Sequence, residues 1–367
     1  MNHHQLCGAF WHACLLLAVT WVALIAADKP AAIRIGLPQV GAGGRPLLGG
    51  SVVATVHGRK LLEAEFKADG IPVEWTLNKG AGPVVNEQLA GGLVDFACYG
   101  DLAAIIGRGG GIPTRLLLAG GRGSNIYLAV RADSPVRTLD NLKGKRLVVF
   151  KGTAIQLLAA RLLAQRGLSE GDFRSIVLDN SAAVPALLSG DVDAIWGINT
   201  ILEFQQRGDL RIIASSREPP PAGQARPTFQ NVLVVKDDFA ARHPDLVQRV
   251  VTVFVRTAAL ASDEANREDL FTQWAESGTP AAVFREDFTG DTLAARHSPL
   301  LDAGFLAVFK TGIDWSLQLK LIRAPIALDA WIDDRYLQRA LRELKLNERW
   351  TPTDVLGQPI SAAKSAP

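Results

Sequence analysis

Cysteine and histidine are scarce in this chain of 367 residues, which has three cysteines and six histidines. Cys7, Cys14 and three of the histidines lie close to the N-terminus, so the rest of the chain has one thiol and three imidazoles. Cys98 alone cannot form an intrachain disulfide, and its apolar, strand-like surroundings indicate a buried core residue. The other histidines are too far apart in sequence to indicate a metal site or a histidine base: His57, His243 and His297.

Short motifs of common cofactor and metal sites are also missing. The sequence contains no G-x-x-x-x-G-K-[ST], H-E-x-x-H or C-x-x-C, and the glycine-rich stretch at 41–46 does not complete G-x-G-x-x-G because Pro46 takes the last position. The formal net charge is only +2, and no cluster of Lys and Arg is interleaved with aromatic residues. We therefore predict a protein that is not an enzyme, uses no cofactor or metal and binds no nucleic acid.

The N-terminus differs in composition from the rest of the chain. No Lys, Arg, Asp or Glu precedes Asp28, and the run Ala13–Ala27 is apolar apart from Thr20. This pattern predicts a signal peptide over 1–27 and export to the periplasm, although an uncleaved membrane anchor starting near Ala9 is the alternative. At the other end, the small and polar residues 360–367 predict a disordered tail.

Two stretches of the chain are copies of one pattern. Residues 89–95 and 187–193 both spell L-x-x-G-x-V-D, which is typical of a helix end, a glycine stop and the start of a buried strand. Extending the alignment sets 98–101 against 196–199, where each strand ends and a new helix begins. Because the chain is also long enough for two cores, the repeat predicts two similar α/β lobes that face a shared cleft.

The order of elements supports this division. Strand-like and helix-like segments alternate from residue 32 to 119 and again from 145 to 214, which predicts two largely parallel sheets covered by helices. From residue 237 onward the pattern is almost wholly helical. We expect interlobe crossings near 131–135 and 225–232, with lobe 1 formed by 31–131 plus 232–345 and lobe 2 by 134–228. Two crossings would make a hinge.

Helix starts that follow strands are the best candidate site. They occur at 82–83, 100–101, 152–154 and 180–182, and unpaired N–H groups at such positions attract anions. Any one of these starts is also explained by ordinary capping, but their matched placement in two lobes favours a cleft that binds an anion. Tyr99 and Trp196 lie beside two of these strand exits, either as an apolar wall of the cleft or as core packing.

Several of these segments resemble one family. The blocks 82–101, 134–146, 151–154, 167–169, 190–194 and 239–244 are similar to solute-binding proteins of ABC importers for aliphatic sulfonates, taurine and nitrate. The resemblance implies a periplasmic-binding-protein-like fold of type II, with two α/β lobes around a cleft, two hinge crossings and extra C-terminal helices. It also implies a monomer that closes on a small organic anion and delivers it to an ABC permease in the inner membrane.

Ligand contacts are carried over from this resemblance and from the aromatic positions. The predicted ligand-binding residues are Gln39, Gly82, Pro83, Tyr99, Gly100, Asp101, Thr153, Ala154, Trp196 and Asn199. Whether Arg45, Arg122 or Arg217 neutralises the anion is left open, as is the solute itself. The alternatives are an enzyme of the same fold, such as the pyrimidine-synthesising relatives, or a binding domain that serves a membrane sensor. The enzyme would need reactive histidines and a cysteine-rich stretch, which the mature chain lacks.

Overall fold

Ten strands form two five-stranded sheets in the computed structural model, which describes residues 29–360. The predictions for the signal peptide and for the tail at 361–367 lie outside the described residues. The strands are β1 (Ile33–Leu37), β2 (Val73–Leu77), β3 (Phe96–Gly100), β4 (Thr114–Ser124), β5 (Tyr127–Arg131), β6 (Arg146–Val149), β7 (Arg174–Val177), β8 (Ala194–Gly197), β9 (Leu210–Ser215) and β10 (Phe229–Lys236).

Helices connect these strands and make up most of the chain after β10. They are α1 (Val52–Gly58), α2 (Leu61–Phe66), α3 (Ala81–Ala90), α4 (Asp101–Gly109), α5 (Ala154–Ala164), α6 (Asn180–Ser189), α7 (Thr200–Gln206), α8 (Asp237–Arg242), α9 (Pro244–Ala261), α10 (Arg267–Ala275), α11 (Ala281–Asp287), α12 (Leu293–His297), α13 (Ala303–Gln318), α14 (Leu328–Trp331) and α15 (Arg335–Glu343). Within residues 29–360, none of the helices has both the length and the apolar character needed to cross a membrane.

The two sheets have the same strand arrangement. Their orders are β2-β1-β3-β10-β4 and β7-β6-β8-β5-β9. In each sheet four strands run in one direction, and the fourth strand in the order, β10 or β5, is antiparallel to both of its neighbours. The repeated L-x-x-G-x-V-D stretches lead into β3 and β8, which occupy equivalent positions in the two lobes.

The placement of β5 corrects one predicted boundary. The sequence pattern predicts 127–131 in lobe 1, but β5 pairs with β8 and β9 in the second sheet. Its apolar pattern suits either sheet, so only the pairing reveals where it belongs. The first crossing is therefore Asn125 and Ile126, and the second runs from 216 to 228. The two crossings lie side by side, because the Ser216 N–H donates to the Ile126 carbonyl at 3.0 Å.

The first sheet, with the order β2-β1-β3-β10-β4, is covered on both faces. Along β10, Leu233 and Val235 pack into one hydrophobic cluster, while Val232 and Val234 pack into the other. This alternation follows from the two-residue period of a strand, and the C-terminal helices supply much of both layers. The second sheet has its own buried cluster.

Helix α11 links the lobes a third time, without a chain crossing. Val283 is buried in the core of the second lobe, while its neighbour Phe284 is buried in the core of the first. Gln206 of the second lobe also donates to Glu286 at 2.6 Å. The C-terminal helical segment therefore reaches the cleft between the lobes.

Candidate functional site

A cavity of about 160 Å³ lies between the lobes, where strands end and helices begin. The first lobe contributes Gln39 after β1, Gly82 in α3 and Gly100 at the end of β3, and the second lobe contributes Ala154 and Asn199. Open α/β sheets bind their ligands at this edge of the strands. The cavity is therefore the candidate site.

The start of α3 has a backbone conformation suited to an anion. Gly80 has φ −77° and ψ 12°, and Ala81 follows with φ 58°, in the left-handed region that non-glycine residues rarely adopt. A right-handed residue followed by a left-handed one makes successive N–H groups converge into a concave nest that binds anions. The left-handed residue costs roughly 1–2 kcal/mol. Ala81 lines the cavity, so its strained backbone indicates a functional position.

The start of α5 supplies the opposing surface from the second lobe. Gly152 has φ 72° and its N–H donates to Gln156 Oε1 at 2.8 Å, while the Thr153 hydroxyl donates to the Phe150 carbonyl at 2.7 Å. The first N–H groups of an α-helix have no acceptor inside the helix, and the helix dipole makes them electropositive. Ala154 and Ile155 present this helix start to the cavity.

Small residues let the lobes touch beside the cavity. A Cβ atom added at Gly100 would lie 2.8 Å from the Cβ of Ala154, and one added at Gly152 would lie 3.0 Å from Pro83 Cγ. Neither distance leaves room for a larger side chain. The lobes are therefore in direct contact here, and this contact depends on the small size of Gly100, Gly152 and Ala154.

Six of the ten predicted binding residues line the cavity and four do not. Those that line it are Gln39, Gly82, Gly100, Thr153, Ala154 and Asn199. Tyr99 is only 1% exposed and packs in the first-lobe core, because its neighbours in the strand, Cys98 and Gly100, face the cavity and alternate residues face opposite sides. Trp196 packs in the second-lobe core. Both aromatic residues therefore pack in the core, which was the alternative to an apolar wall of the cleft.

The other two residues outside the lining lie beside it. Pro83 contacts the position of Gly152 at the interlobe contact, and Asp101 is buried at the start of α4. Ligand contact by all ten predicted residues stays a prediction.

Sequence reasoning missed the charged residues of the cavity, Asp287 and Arg296. Both are buried, and Arg296 donates to Asp287 and to Asp291 at 3.0 Å each. They lie in the helical segment beyond residue 265, where the family resemblance ends, so no motif pointed to them. The available signal was a pair of adjacent basic residues, Arg296 and His297, at the end of a short helix.

None of the three arginines considered from the sequence lines the cavity. Arg122 forms a buried ion pair with Asp302, and Arg217 donates to the carbonyls of Glu286 and Thr289 at 2.5 Å each. Arg45 is exposed. The cavity's guanidinium is that of Arg296, which is already paired.

Asp101 is a buried carboxylate whose titration should affect stability. It accepts hydrogen bonds from the backbone N–H groups of Leu102 at 2.7 Å and Gln230 at 2.9 Å. Burial raises its pKa to about 6, and these hydrogen bonds and the charge of Arg161 only partly oppose the increase. The folded state therefore keeps a proton between about pH 4 and pH 6 that the unfolded state, with a pKa near 3.9, releases.

We predict that the free energy of unfolding increases as pH falls from 7.5 to 5, by roughly 1.4 kcal/mol from this group. Urea unfolding at several pH values measures this, and Asp101→Asn should remove the increase. Carboxylates in ion pairs behave in the opposite way and at lower pH, as for Asp193, whose pKa the Arg146 guanidinium lowers. An equal increase in the native protein and in Asp101→Asn would contradict the assignment.

Comparison with known proteins gives a consistent family. Residues 66–266 match the family model described as NMT1/THI5 like. A protein of Escherichia coli (strain K12) named for binding aliphatic sulfonates is 28% identical over 278 residues, which are 73% of this chain and 78% of that protein. A 2'-hydroxybiphenyl-2-sulfinate desulfinase of Rhodococcus erythropolis is 26% identical over 196 residues, which are 53% of this chain and 51% of the enzyme. The match thus spans about half the length of the desulfinase.

A solved structure shows the same architecture over nearly its full length. The periplasmic sulfonate-binding protein SsuA from Methylobacillus flagellatus KT aligns with a TM-score of 0.72 and 26% identity, covering 89% of this chain and 99% of that one. The predicted fold class, two α/β lobes with two crossings and extra C-terminal helices, is therefore confirmed.

Proposed function

The chain belongs to the NMT1/THI5-like family, and we propose that it is the solute-binding component of an ABC importer for a small sulfonate-like organic anion. The observation that supports this most strongly is the cavity between the lobes, where the nest at 80–82 faces the start of α5. A sulfonate has three oxygens, so it can accept hydrogen bonds from the N–H groups of both lobes at once. The names of the relatives point to the same class of solute.

Closure around the anion supplies the binding mechanism. Backbone N–H groups stabilise the charge without a free cation, and closing the cleft removes water that would weaken these hydrogen bonds. The apolar residues of the cavity, among them Leu48, Val53 and Ile198, would contact the carbon chain. The two crossings at 125–126 and 216–228 would act as the hinge.

Export and delivery complete the proposal. The apolar segment before Asp28 would direct the chain to the periplasm, and the closed, loaded form would dock as a monomer on a permease in the inner membrane. This role needs no catalytic group, and among residues 29–360 no cluster of His, Cys, Asp and Glu suits a metal ion.

Titration calorimetry with propane-1-sulfonate, butanoate and propan-1-ol tests the solute class. We expect the sulfonate to bind more tightly than the carboxylate, because a planar carboxylate has one oxygen fewer, and we expect no binding of the alcohol. At a hundredfold excess over Kd, the sulfonate should add about 2.7 kcal/mol to the free energy of unfolding. If none of several alkanesulfonates binds at millimolar concentration, the proposal is wrong.

A desulfinase-like enzyme is the second candidate, because one relative is named as such. Cys98 lines the cavity, but burial raises the pKa of its thiol to about 12, so it is a poor nucleophile at neutral pH. Residues 167–171 fit the G-x-S-x-G pattern of serine hydrolases, in which the serine lies between a strand and a helix. Here the pattern connects α5 to β7, and the Ser169 hydroxyl donates to Asp172 Oδ2 at 3.0 Å, so it is not a nucleophile of that kind. Sulfite release from an aryl sulfinate would favour the enzyme; we expect none.

A further inference from the structure

Helix α5 of the second lobe is buried on more than one face. One face packs in the core of its own lobe, where Ile155, Leu158 and Leu162 belong to the same hydrophobic cluster. Leu157 is also buried, with only 3% of its surface exposed, yet it does not belong to that cluster. Its burial therefore depends on residues outside the second-lobe core.

The first lobe contributes to this burial through the C-terminal helix α13. A Cβ atom added at Gly312 in α13 would lie 3.4 Å from Leu157 Cδ2 and 3.0 Å from Ile105 Cδ1. These distances leave little room for a side chain at position 312, so a glycine there lets the two helices approach closely. Helix α13 itself packs in the first-lobe core through Phe305 and Phe309. The contact between Leu157 and Gly312 therefore joins one lobe to the other.

The residues of α5 that face the first lobe form a stripe. Ala154, Leu157 and Arg161 stand at positions i, i+3 and i+7 of the helix, so they share one face. Ala154 lies against Gly100 of the first lobe. Burial lowers the pKa of Arg161, and the negative charge of Asp101 in the first lobe opposes this decrease, so the two groups are close enough to interact. We call Ala154, Leu157 and Arg161 the closure stripe.

Most of this contact lies outside the candidate site. Ala154 lines the cavity, whereas Leu157, Arg161 and Gly312 do not. Elsewhere around the cavity, α11 also joins the lobes, through Val283 in one core and Phe284 in the other. The lobes thus hold each other in two separate places through contacts between protein residues alone.

Burial of Leu157 favours the closed form, in which the lobes touch. Opening the cleft would separate Leu157 from Gly312 and expose apolar surface to water, which is unfavourable. A contact that exists only when the lobes meet stabilises the closed form whatever the cavity contains. Because N–H groups from both lobes bind the solute only in this form, the apparent affinity falls in proportion to the fraction of closed protein.

Resting on the proposed function, we propose that Leu157 and Gly312 are positioning residues for solute binding. Their contact closes part of the protein population before a solute arrives, and it raises the affinity although neither residue touches the solute. Helix α13 therefore has a role beyond covering the first sheet, because it supplies the first-lobe half of this contact.

The variant Leu157→Ala tests this inference, with propane-1-sulfonate as the solute. Titration calorimetry should give a Kd about tenfold higher than native, because the truncation removes apolar surface that is buried only when the lobes meet. Stopped-flow kinetics should assign most of this loss to faster dissociation, as is usual when a bound form is destabilised. In small-angle scattering without solute, the variant should have a larger radius of gyration than the native protein.

Leu157→Met and Leu158→Ala are the controls. Methionine keeps a flexible apolar chain against α13, so Leu157→Met should bind within about threefold of native. Leu158 is the next residue and lies in the second-lobe core. Its truncation should lower the midpoint of urea unfolding and leave the affinity within about threefold of native.

The affinity of Leu157→Ala decides between the outcomes. A Kd within about threefold of native would show that the inference is wrong, while the proposed function stands. An equal loss of affinity in Leu158→Ala would also overturn the inference, because the effect would then come from the whole lobe. If no alkanesulfonate binds the native protein, the proposed function is wrong. The radii of gyration then decide the inference, and equal values for Leu157→Ala and the native protein would contradict it.

Discussion

Replacing Ala154 with leucine should weaken solute binding by more than about 100-fold, equivalent to about 2.7 kcal/mol, while the protein still folds. Ala154 lies at the first position of α5, where it lines the cavity and faces Gly100 across the interlobe contact. A Cβ added at Gly100 would already be only 2.8 Å from the Cβ of Ala154. The extra carbons of leucine would hold the lobes apart, so the solute would lose the N–H groups of one lobe.

The fold should tolerate this substitution because residue 154 faces the cleft between the lobes and does not lie in the hydrophobic core of either lobe. Leucine is nearly as favourable as alanine in a helix, and in an open cleft its side chain would extend into the space of the cavity. Calorimetry measures the affinity, and small-angle scattering measures whether solute still reduces the radius of gyration. Ala164→Leu is the matched control, since Ala164 is exposed at the end of the same helix. Native affinity in Ala154→Leu would show that the solute does not need closure.

The internal repeat was the most informative sequence feature, and the structure explains its aspartate. Arg34 in β1 donates to Asp95 Oδ2 at 2.9 Å, and Arg146 in β6 donates to Asp193 Oδ2 at 3.1 Å. In both lobes the same arginine also donates to the glycine carbonyl of the repeat, that of Gly92 or of Gly190. The aspartate of the pattern thus links neighbouring strands through an ion pair. The repeat therefore predicts the fold and gives no information on the ligand.

Strand positions followed well from the sequence because hydrophobic runs are local. Strand pairing is not local. The antiparallel strands β5 and β10 each follow an interlobe crossing, and nothing in their composition shows which sheet they join. The same limit explains why the sequence alone does not show whether Tyr99 and Trp196 face the cleft or the core. One residue of register decides which face of a strand a side chain occupies.

The charged part of the cavity could not be predicted, since it comes from the other end of the chain. Asp287 and Asn125 are separated by 162 positions and meet only through the packing of α11 between the lobes. Neither residue belongs to a motif. Helix starts, in contrast, are local features, and this explains why most of the predicted backbone positions line the cavity.

Replacing Arg296 with methionine should lower the free energy of unfolding by about 3–5 kcal/mol, because it leaves a buried carboxylate without its cation. The side chains of Arg296 and Asp287 are 7% and 5% exposed, so water cannot compensate. Methionine keeps an unbranched apolar chain against Phe288, whose ring centre lies 4.1 Å from the guanidinium carbon. The loss would therefore report the missing charge more than missing packing.

Urea unfolding compares this variant with Arg226→Met, which removes the other arginine that pairs with Asp291. Arg226 lies 3.4 Å from Asp291 and its side chain is 30% exposed, so its removal should cost no more than about 1 kcal/mol. Adding Asp287→Asn to Arg296→Met should recover part of the loss, because the unpaired charge disappears. Equal destabilisation by the two methionine variants, or no recovery in the double variant, would mean that the ion pair of Arg296 and Asp287 does not stabilise the fold.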